Sequence, residues 1–371
     1  MDPLGSMALS VCSVSLLLPT CFLQLTCLVE NLRTGSAQND SLRVLSHALP
    51  VTSPSGHLFS KVINAIESLT PTSPATPLTW INVFHAIPGR FNLEDLPSSP
   101  PQTPGPAVGG DDYFTQKIFD SAVSIVDYQE ATPITPRSPR PVVPPSSIDV
   151  SIVERYIPPT NANEFSEMFD PTGSSILVDR LVELSPKNGS LLFIYPTRSG
   201  GETFMRKYLG PVLDPILRTM VVLNGLSSDL CSSLGDMRAA HLLPEHDVLR
   251  QRISTLCARL TQGNVAIQRF HGRTPCFALS HASTQSVKLQ RRVWAKEWWA
   301  KQEKTRLKDT ITSRYRESVA RRTVTHDSQH PTPGAVLLQQ LLDGVAGSKN
   351  KQDVVSDDSI EVSVFVITRS A

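Results

Sequence analysis

The segment Ser190-Leu-Leu-Phe-Ile-Tyr-Pro196 is apolar at almost every position and runs directly into Thr197-Arg-Ser-Gly-Gly-Glu202. A run of strand length with no polar face belongs to a strand that helices cover on both sides. The glycine-bearing turn then opens into a helix through Phe204, Tyr208 and Leu209. Strand, tight turn and helix in this order point the chain toward an α/β architecture.

The remaining periodicities fit that frame. A helix is expected over His57–Leu69, with Leu58, Val62, Ala65, Ile66 and Leu69 on one face, and a strand over Leu78–Ile87 ended by Pro88-Gly89. Tyr113–Val126 again spaces Phe114, Ile118, Phe119 and Ala122 as a helix would, and Ile148–Tyr156 alternates like a half-exposed strand. Asn161 or Asn163 can cap the next helix; Ser174 or Ser175 begins another, Ile176–Leu184. Further on, strands are expected at Arg218–Asn224, Cys276–His281, Val287–Trp294 and Ile360–Ile367. Helices are expected at His246–Leu260, from about Glu297 to Arg321, and at Ala335–Ala346. The alternation predicts a doubly wound, mainly parallel Rossmann-like sheet. Fifteen of the 30 prolines fall between Pro71 and Pro145, which places long proline-rich loops on its surface. The chain then divides into an apolar N-terminal segment of doubtful structure (1–50), a first part of the α/β domain (51–130), a proline-rich linker (131–147) and the main α/β part (148–371).

Charge narrows the partners. Thirty-five Lys and Arg against 34 Asp and Glu leave a net charge of +1, so no global field draws the 371-residue chain to nucleic acid or anionic lipid. A protein partner fits better. Six scattered cysteines without a CxxC read as reduced, buried thiols, as in a cytoplasmic or nuclear protein. The uncharged run Pro3–Val29 brings in the membrane only if it is an anchor; Asp2 stands where such signals carry basic residues.

Two constellations are candidates for binding. Thr197, Ser199, Gly200 and Gly201 lie between a buried strand and a helix, where free amides favour an anionic cofactor. The turn lacks the Lys-Ser/Thr of a phosphate loop and the GxGxxG spacing, so glycines that serve only backbone angles are the competing reading. Between Lys288 and Arg322, 12 basic residues face four acids and carry Trp294, Trp298 and Trp299. Those rings are candidates for partner binding; spaced along one helix face they equally suit a core, with Lys296, Lys301, Lys304 and Lys308 in water. Catalytic residues stay unassigned. His85, Asp111, Asp112, His271 and His281 fall near element ends, but no GxSxG, HExxH or metal-ligand spacing joins them. Ser-Pro and Thr-Pro steps at Thr70, Ser73, Thr76, Ser99, Thr103, Thr132, Thr135 and Ser138 are candidate sites for proline-directed phosphorylation.

Leu177-Val-Asp-Arg-Leu-Val-Glu-Leu-Ser-Pro186, Phe193-Ile-Tyr-Pro-Thr197, Tyr208-Leu-Gly-Pro211 and Trp294-Ala-Lys-Glu-Trp-Trp299 resemble segments of a group of filamentous-fungal proteins of unassigned activity. More widely, Leu184-Ser-Pro-Lys-Asn-Gly-Ser-Leu-Leu-Phe-Ile194 is similar to the helix-to-strand passage of class I S-adenosylmethionine-dependent methyltransferases. That resemblance implies S-adenosylmethionine as cofactor, held by a glycine-rich loop after the first strand and an acidic residue after the second. Residues 1–75 contain no such loop. The resemblance therefore implies a methyltransferase-like domain with an incomplete cofactor site; the alternative is a non-enzymatic interaction or regulatory protein acting through its proline-rich loops and basic Trp-rich helix.

Overall fold

The computed structural model describes residues 41–69, 80–89, 96, 118–129, 137–263, 267, 268, 270, 274–325, 333–347 and 358–370. Seven strands form one sheet: β1 (Leu42–Leu49), β2 (Ile81–Pro88), β3 (Ile118–Ile125), β4 (Val150–Arg155), β5 (Ser190–Pro196), β6 (Cys276–Val287) and β7 (Ile360–Ser370). Their order across the sheet is β3-β2-β1-β4-β5-β7-β6. The first five are parallel neighbours, and β7 lies antiparallel between β5 and β6. This is the doubly wound Rossmann order with one late strand inserted in reverse.

Alternation along the central strands feeds two cores. Val44, Val150, Ile152, Leu192, Ile194, Val362 and Val364 face α1 (Phe59–Leu69) and the helices that follow β5 and β6. Leu45, Leu49, Val153, Leu191, Phe193, Tyr195 and Phe365 face the other layer. That layer contains α2 (Asn163–Met168), α3 (Ile176–Glu183) and, further along the chain, α8 (His246–Thr261). All seven residues of β5 are buried, as a strand covered on both faces requires.

Beyond β5 the chain runs through α4 (Arg198–Thr203), a π-helical turn (Phe204–Leu209) and α5 (Gly210–Asn224), then α6 (Asp229–Gly235) and α7 (Arg238–Leu242). The insertion between β6 and β7 holds a second π-helical turn (Arg292–Trp299), α9 (Ala300–Thr325) and α10 (Gly334–Ala346).

Several expectations are corrected. Residues 118–125 form strand β3, where the spacing predicted a helix; an eight-residue ladder with β2 overrides a periodicity set by few apolar residues. Arg218–Asn224 is the end of α5, closed by Gly225 in the left-handed region at φ 57°, and Val222 and Leu223 are 78% and 77% exposed rather than buried in a strand. Of Val287–Trp294 only Val287 is in a strand, and Ile148–Tyr156, expected to be half-exposed, contains the fully buried β4. The first helix of the main part starts after Ala162, with the Asn161 side chain accepting from the Asn163 amide at 2.9 Å. Ser175, as expected, caps α3. Cys257 is buried, but Cys231 is half-buried and Cys276 exposed. The runs 3–29 and most of the proline clusters lie outside the described residues, and within those residues no helix is long and apolar enough to cross a membrane.

The turn after β5 shows why glycine is needed there. A Cβ on Gly200 would stand 1.9 Å from the Glu361 carbonyl oxygen of β7, so the helix packs backbone to backbone on that strand. Gly200→Ala is expected to lower stability by about 1–3 kcal/mol, read as a shift in urea midpoint, whereas alanine at exposed Ser199 should stay within roughly 0.5 kcal/mol. An unshifted Gly200→Ala midpoint would contradict the packing.

Candidate functional site

In an open α/β sheet the ligand crevice lies beyond the carboxyl ends of the strands where the strand order reverses, here between β1 and β4. The chain leaves β1 through residues 50–58 and enters α1, whose first amides point at this crevice. They are already engaged. Glu154, near the end of β4 and wholly buried, accepts from Leu58 N at 2.6 Å and Phe59 N at 3.1 Å, and from the Tyr156 hydroxyl at 2.8 Å. Burial nevertheless pushes its carboxyl up to about 7, against those three hydrogen bonds.

Aromatic rings cover the same junction. Tyr156 stacks on Trp298 at 5.6 Å and 13°, and His57 leans on Trp298 at 5.0 Å. Trp298 Nε1 meets no partner at hydrogen-bonding geometry, and burial pushes His57 down to about 4 against the backbone of Ser53 and Leu49, which favours its protonated form, leaving it neutral at physiological pH. A Cβ on Gly56 would meet Val293 Cγ1 at 2.2 Å and Trp298 Cζ2 at 2.7 Å. The glycine of this turn thus admits the Trp-bearing insertion. Glu297 fastens it, accepting from the hydroxyls of Ser53 and, at 3.0 Å, Ser55.

Between this loop and the sheet remains a cavity of about 240 Å³. Its inner wall is Ile194, Val287, Leu289, Val293, Val362 and Val364; His57, Tyr156 and Trp298 contribute aromatic surface. The rim carries exposed Ser55, Lys288 and Gln290 with half-buried Lys61 and Gln285.

The carboxyl ends of β4 and β5 are bridged by a buried polar network. Arg155 forms a two-point ion pair with Glu164, through Nε at 2.6 Å and through Nη2; Glu164 also accepts from Tyr195 at 2.8 Å. Arg155 Nη1 reaches Gln302 Oε1 at 2.8 Å, and the neighbouring Glu303 accepts from Thr160 and Arg306, both at 2.6 Å. On the β1 side of the second core His47 is buried with both nitrogens unpartnered and its pKa held well below the usual value by burial and by Arg180 and Arg155.

No family model and no curated protein matches the chain. Among solved structures, a loganic acid methyltransferase with S-adenosylhomocysteine aligns at 13% identity over 94% of this chain and 92% of that one, with a TM-score of 0.48. Coclaurine N-methyltransferase aligns at 12% over 94% and 72%, TM-score 0.29, and a Haemonchus contortus phosphoethanolamine N-methyltransferase at 11% over 94% and 52%, TM-score 0.27.

The residues singled out in the sequence take the following places. Thr197 caps α4, accepting from Gly200 N at 3.0 Å and donating to Glu361 Oε1 at 2.7 Å; Gly200 and Gly201 are buried against β7 and α7, and Ser199 is exposed. Trp294, Trp298 and Trp299 are 2%, 1% and 0% exposed, so none of these rings is on the surface, while Lys296, Lys301, Lys304 and Lys308 are exposed. His85 pairs with Asp120 on β3 at 2.9 Å, and His281 lies 3.1 Å from Ser283 Oγ. Asp111, Asp112 and His271 lie outside the described residues. Ser138 is buried and bonded to Ser175, which hides it from a kinase; the other Ser-Pro and Thr-Pro steps are not among the described residues. Among the described residues no three His, Cys, Asp or Glu side chains cluster as metal ligands. Glu154, Arg155 and His57 escaped sequence reasoning. A carboxylate and a guanidinium side by side at the end of an apolar strand were the available signal.

Glu154 gives a pH dependence of known sign. Its folded pKa is raised, so the stability it contributes is fully present below its unfolded pKa near 4.5 and is lost as pH rises through about 7. His57 and His47 act oppositely, since their lowered values cost stability as pH falls below about 6.5. The profile of the natural protein mixes these terms; the difference from Glu154→Gln isolates one. Between pH 4.5 and 7 the natural protein should lose about 1.4 kcal/mol per pH unit more than the variant, measured by urea unfolding. Parallel curves would refute the assignment.

Proposed function

We propose that this chain is a methyltransferase-fold protein that does not transfer methyl groups from S-adenosylmethionine and acts instead as a non-catalytic binding or regulatory module. The observation that carries this reading is Glu154. Its carboxylate holds the Leu58 and Phe59 amides, the groups that a helix after the first strand would turn toward a cofactor.

Three further features support it. The turn after β1 has Gly56 as its single glycine, and Val293 and Trp298 pack against that glycine where a cofactor would approach. Residues 86–89, at the end of β2, are Ala, Ile, Pro and Gly, so the place of the acidic residue carries no carboxylate. The cavity that remains is about 240 Å³, below the roughly 300–1,000 Å³ of sites for drug-sized ligands. The residues present do not fit S-adenosylmethionine in the manner of the family. With the tryptophans inside, partner contacts in this reading fall to the exposed lysines of α9, Lys301, Lys304 and Lys308, and to the proline-rich loops.

A ligand bound only by the folded state at 100 times its Kd stabilises it by about 2.7 kcal/mol. The full chain titrated to millimolar S-adenosylmethionine or S-adenosylhomocysteine should show no saturable change in Tm and no binding heat. A saturable rise with either compound would overturn the proposal.

A further inference from the structure

The cavity between residues 53–61 and the sheet has an uneven lining. Its inner wall is aliphatic: Ile194, Val287, Leu289, Val293, Val362 and Val364. Its charged side chains are two lysines at the rim, half-buried Lys61 on α1 and exposed Lys288 just after β6. Among the described residues no Asp or Glu lines it. The carboxylates nearest in sequence to lining residues are committed elsewhere: Glu154 to two amides and a phenol, Glu297 to Ser53 and Ser55, and Glu361 to Thr197. The His57 nitrogens, engaged by the backbone of Ser53 and Leu49, and the Trp298 indole nitrogen are out of reach from inside, so both residues add only ring surface to the wall. One end of the cavity is therefore apolar and the other cationic.

Volume sets the size of a guest. An apolar cavity of about 150 Å³ takes up the six carbons of benzene, so about 240 Å³ holds on the order of eight to ten. A hydrocarbon of that size gains by leaving water for such a wall, and the rim decides what its outer end carries. An ammonium head there would meet like charge, and an uncharged head would gain nothing from the lysines. A carboxylate would meet ammonium groups on long flexible stems. Staying at the rim, it would also keep much of its water and escape the penalty of a fully buried ion. We propose that this cavity binds a medium-chain monocarboxylate, its hydrocarbon against the aliphatic wall and its carboxylate at Lys61 and Lys288. This goes beyond the non-catalytic reading above and does not depend on it.

Octanoate is the probe, with octanol and octylamine as controls of equal length. Titrated calorimetrically into the full chain, octanoate should bind saturably and raise Tm. Hexanoate, with two fewer buried methylenes, should bind roughly tenfold more weakly, and the gain per carbon should stop at about ten carbons, where the cavity is full. Lys61→Gln combined with Lys288→Gln should weaken octanoate roughly twentyfold, each rim pair being worth about fivefold, and leave octanol unchanged; cooperative urea unfolding checks that the fold persists. Octylamine should bind more weakly than octanol. Val364→Phe fills the inner wall and should abolish binding. Should that variant fail to fold, nuclear Overhauser contacts from the terminal methyl of octanoate to the Val362 and Val364 methyls locate the tail in the natural protein instead. Absence of saturable binding by any acid from hexanoate to decanoate, contacts elsewhere, or full affinity in a folded Val364→Phe variant would overturn the site. Octanol binding as tightly as octanoate, or octanoate indifferent to the double substitution, would overturn the choice of an anion. The methyl-transfer question is read separately, because only saturable binding of S-adenosylmethionine or S-adenosylhomocysteine in their own titrations bears on it.

Discussion

The Glu154 carboxylate ties together three parts of the molecule that are distant in sequence. It belongs to β4, it caps the first turn of α1, and it accepts from Tyr156, which in turn supports Trp298 of the β6–β7 insertion. A helix start deprived of side-chain partners leaves amides that must find water or ligand. Here they find a carboxylate from the neighbouring strand, at the one point of a doubly wound sheet where solvent and ligands would otherwise enter. Burial raises the cost of its charge, and three donors offset part of that cost, which is how a carboxyl group remains in an apolar junction.

The insertion after β6 completes the closure. Its π-helical turn presents Val293 and Trp298 to Gly56, and Glu297 to Ser53 and Ser55. One turn onward, Gln302 and Glu303 join the Arg155–Glu164 pair. A buried ion pair of this kind adds little net stability compared with apolar packing, but it is costly to break from one side. Its effect is geometric: Arg155 cannot leave Glu164 without stranding a charge, so β4, α2 and α9 are fixed relative to each other.

The central strand β5 and its flanking helices were legible because the chain there is uniformly apolar, and strands buried on both faces announce themselves in that way. β1 was not. Leu42–Leu49 carries Arg43, Ser46 and His47, and the last two are buried at the centre of the sheet, so polar residues concealed the strand that defines the site. β3, an edge strand exposed along most of its length, borrowed a helical spacing by chance, and the end of α5 was apolar on its exposed side. The glycines of 200 and 201 were visible, but whether they met a ligand or another strand depended on β7, over 150 residues away. Trp298 was legible as a helix-face residue; what it faces was set by the turn at Gly56.

A fold does not fix a function, and this chain gives the point a physical form. The strand order that creates a crevice is intact, while the residues at the crevice's edge turn inward to satisfy one another. Catalysis on such a sheet needs donors and acceptors left unpaired in the resting protein so that they pair with the reacting molecule. Glu154, Arg155, Glu164 and Tyr195 have all found protein partners. What remains open at this end of the sheet is an aliphatic hollow under the Gly56 turn, bounded by Tyr156 and Trp298, whose shape is set by the same turn and insertion that engage the polar groups.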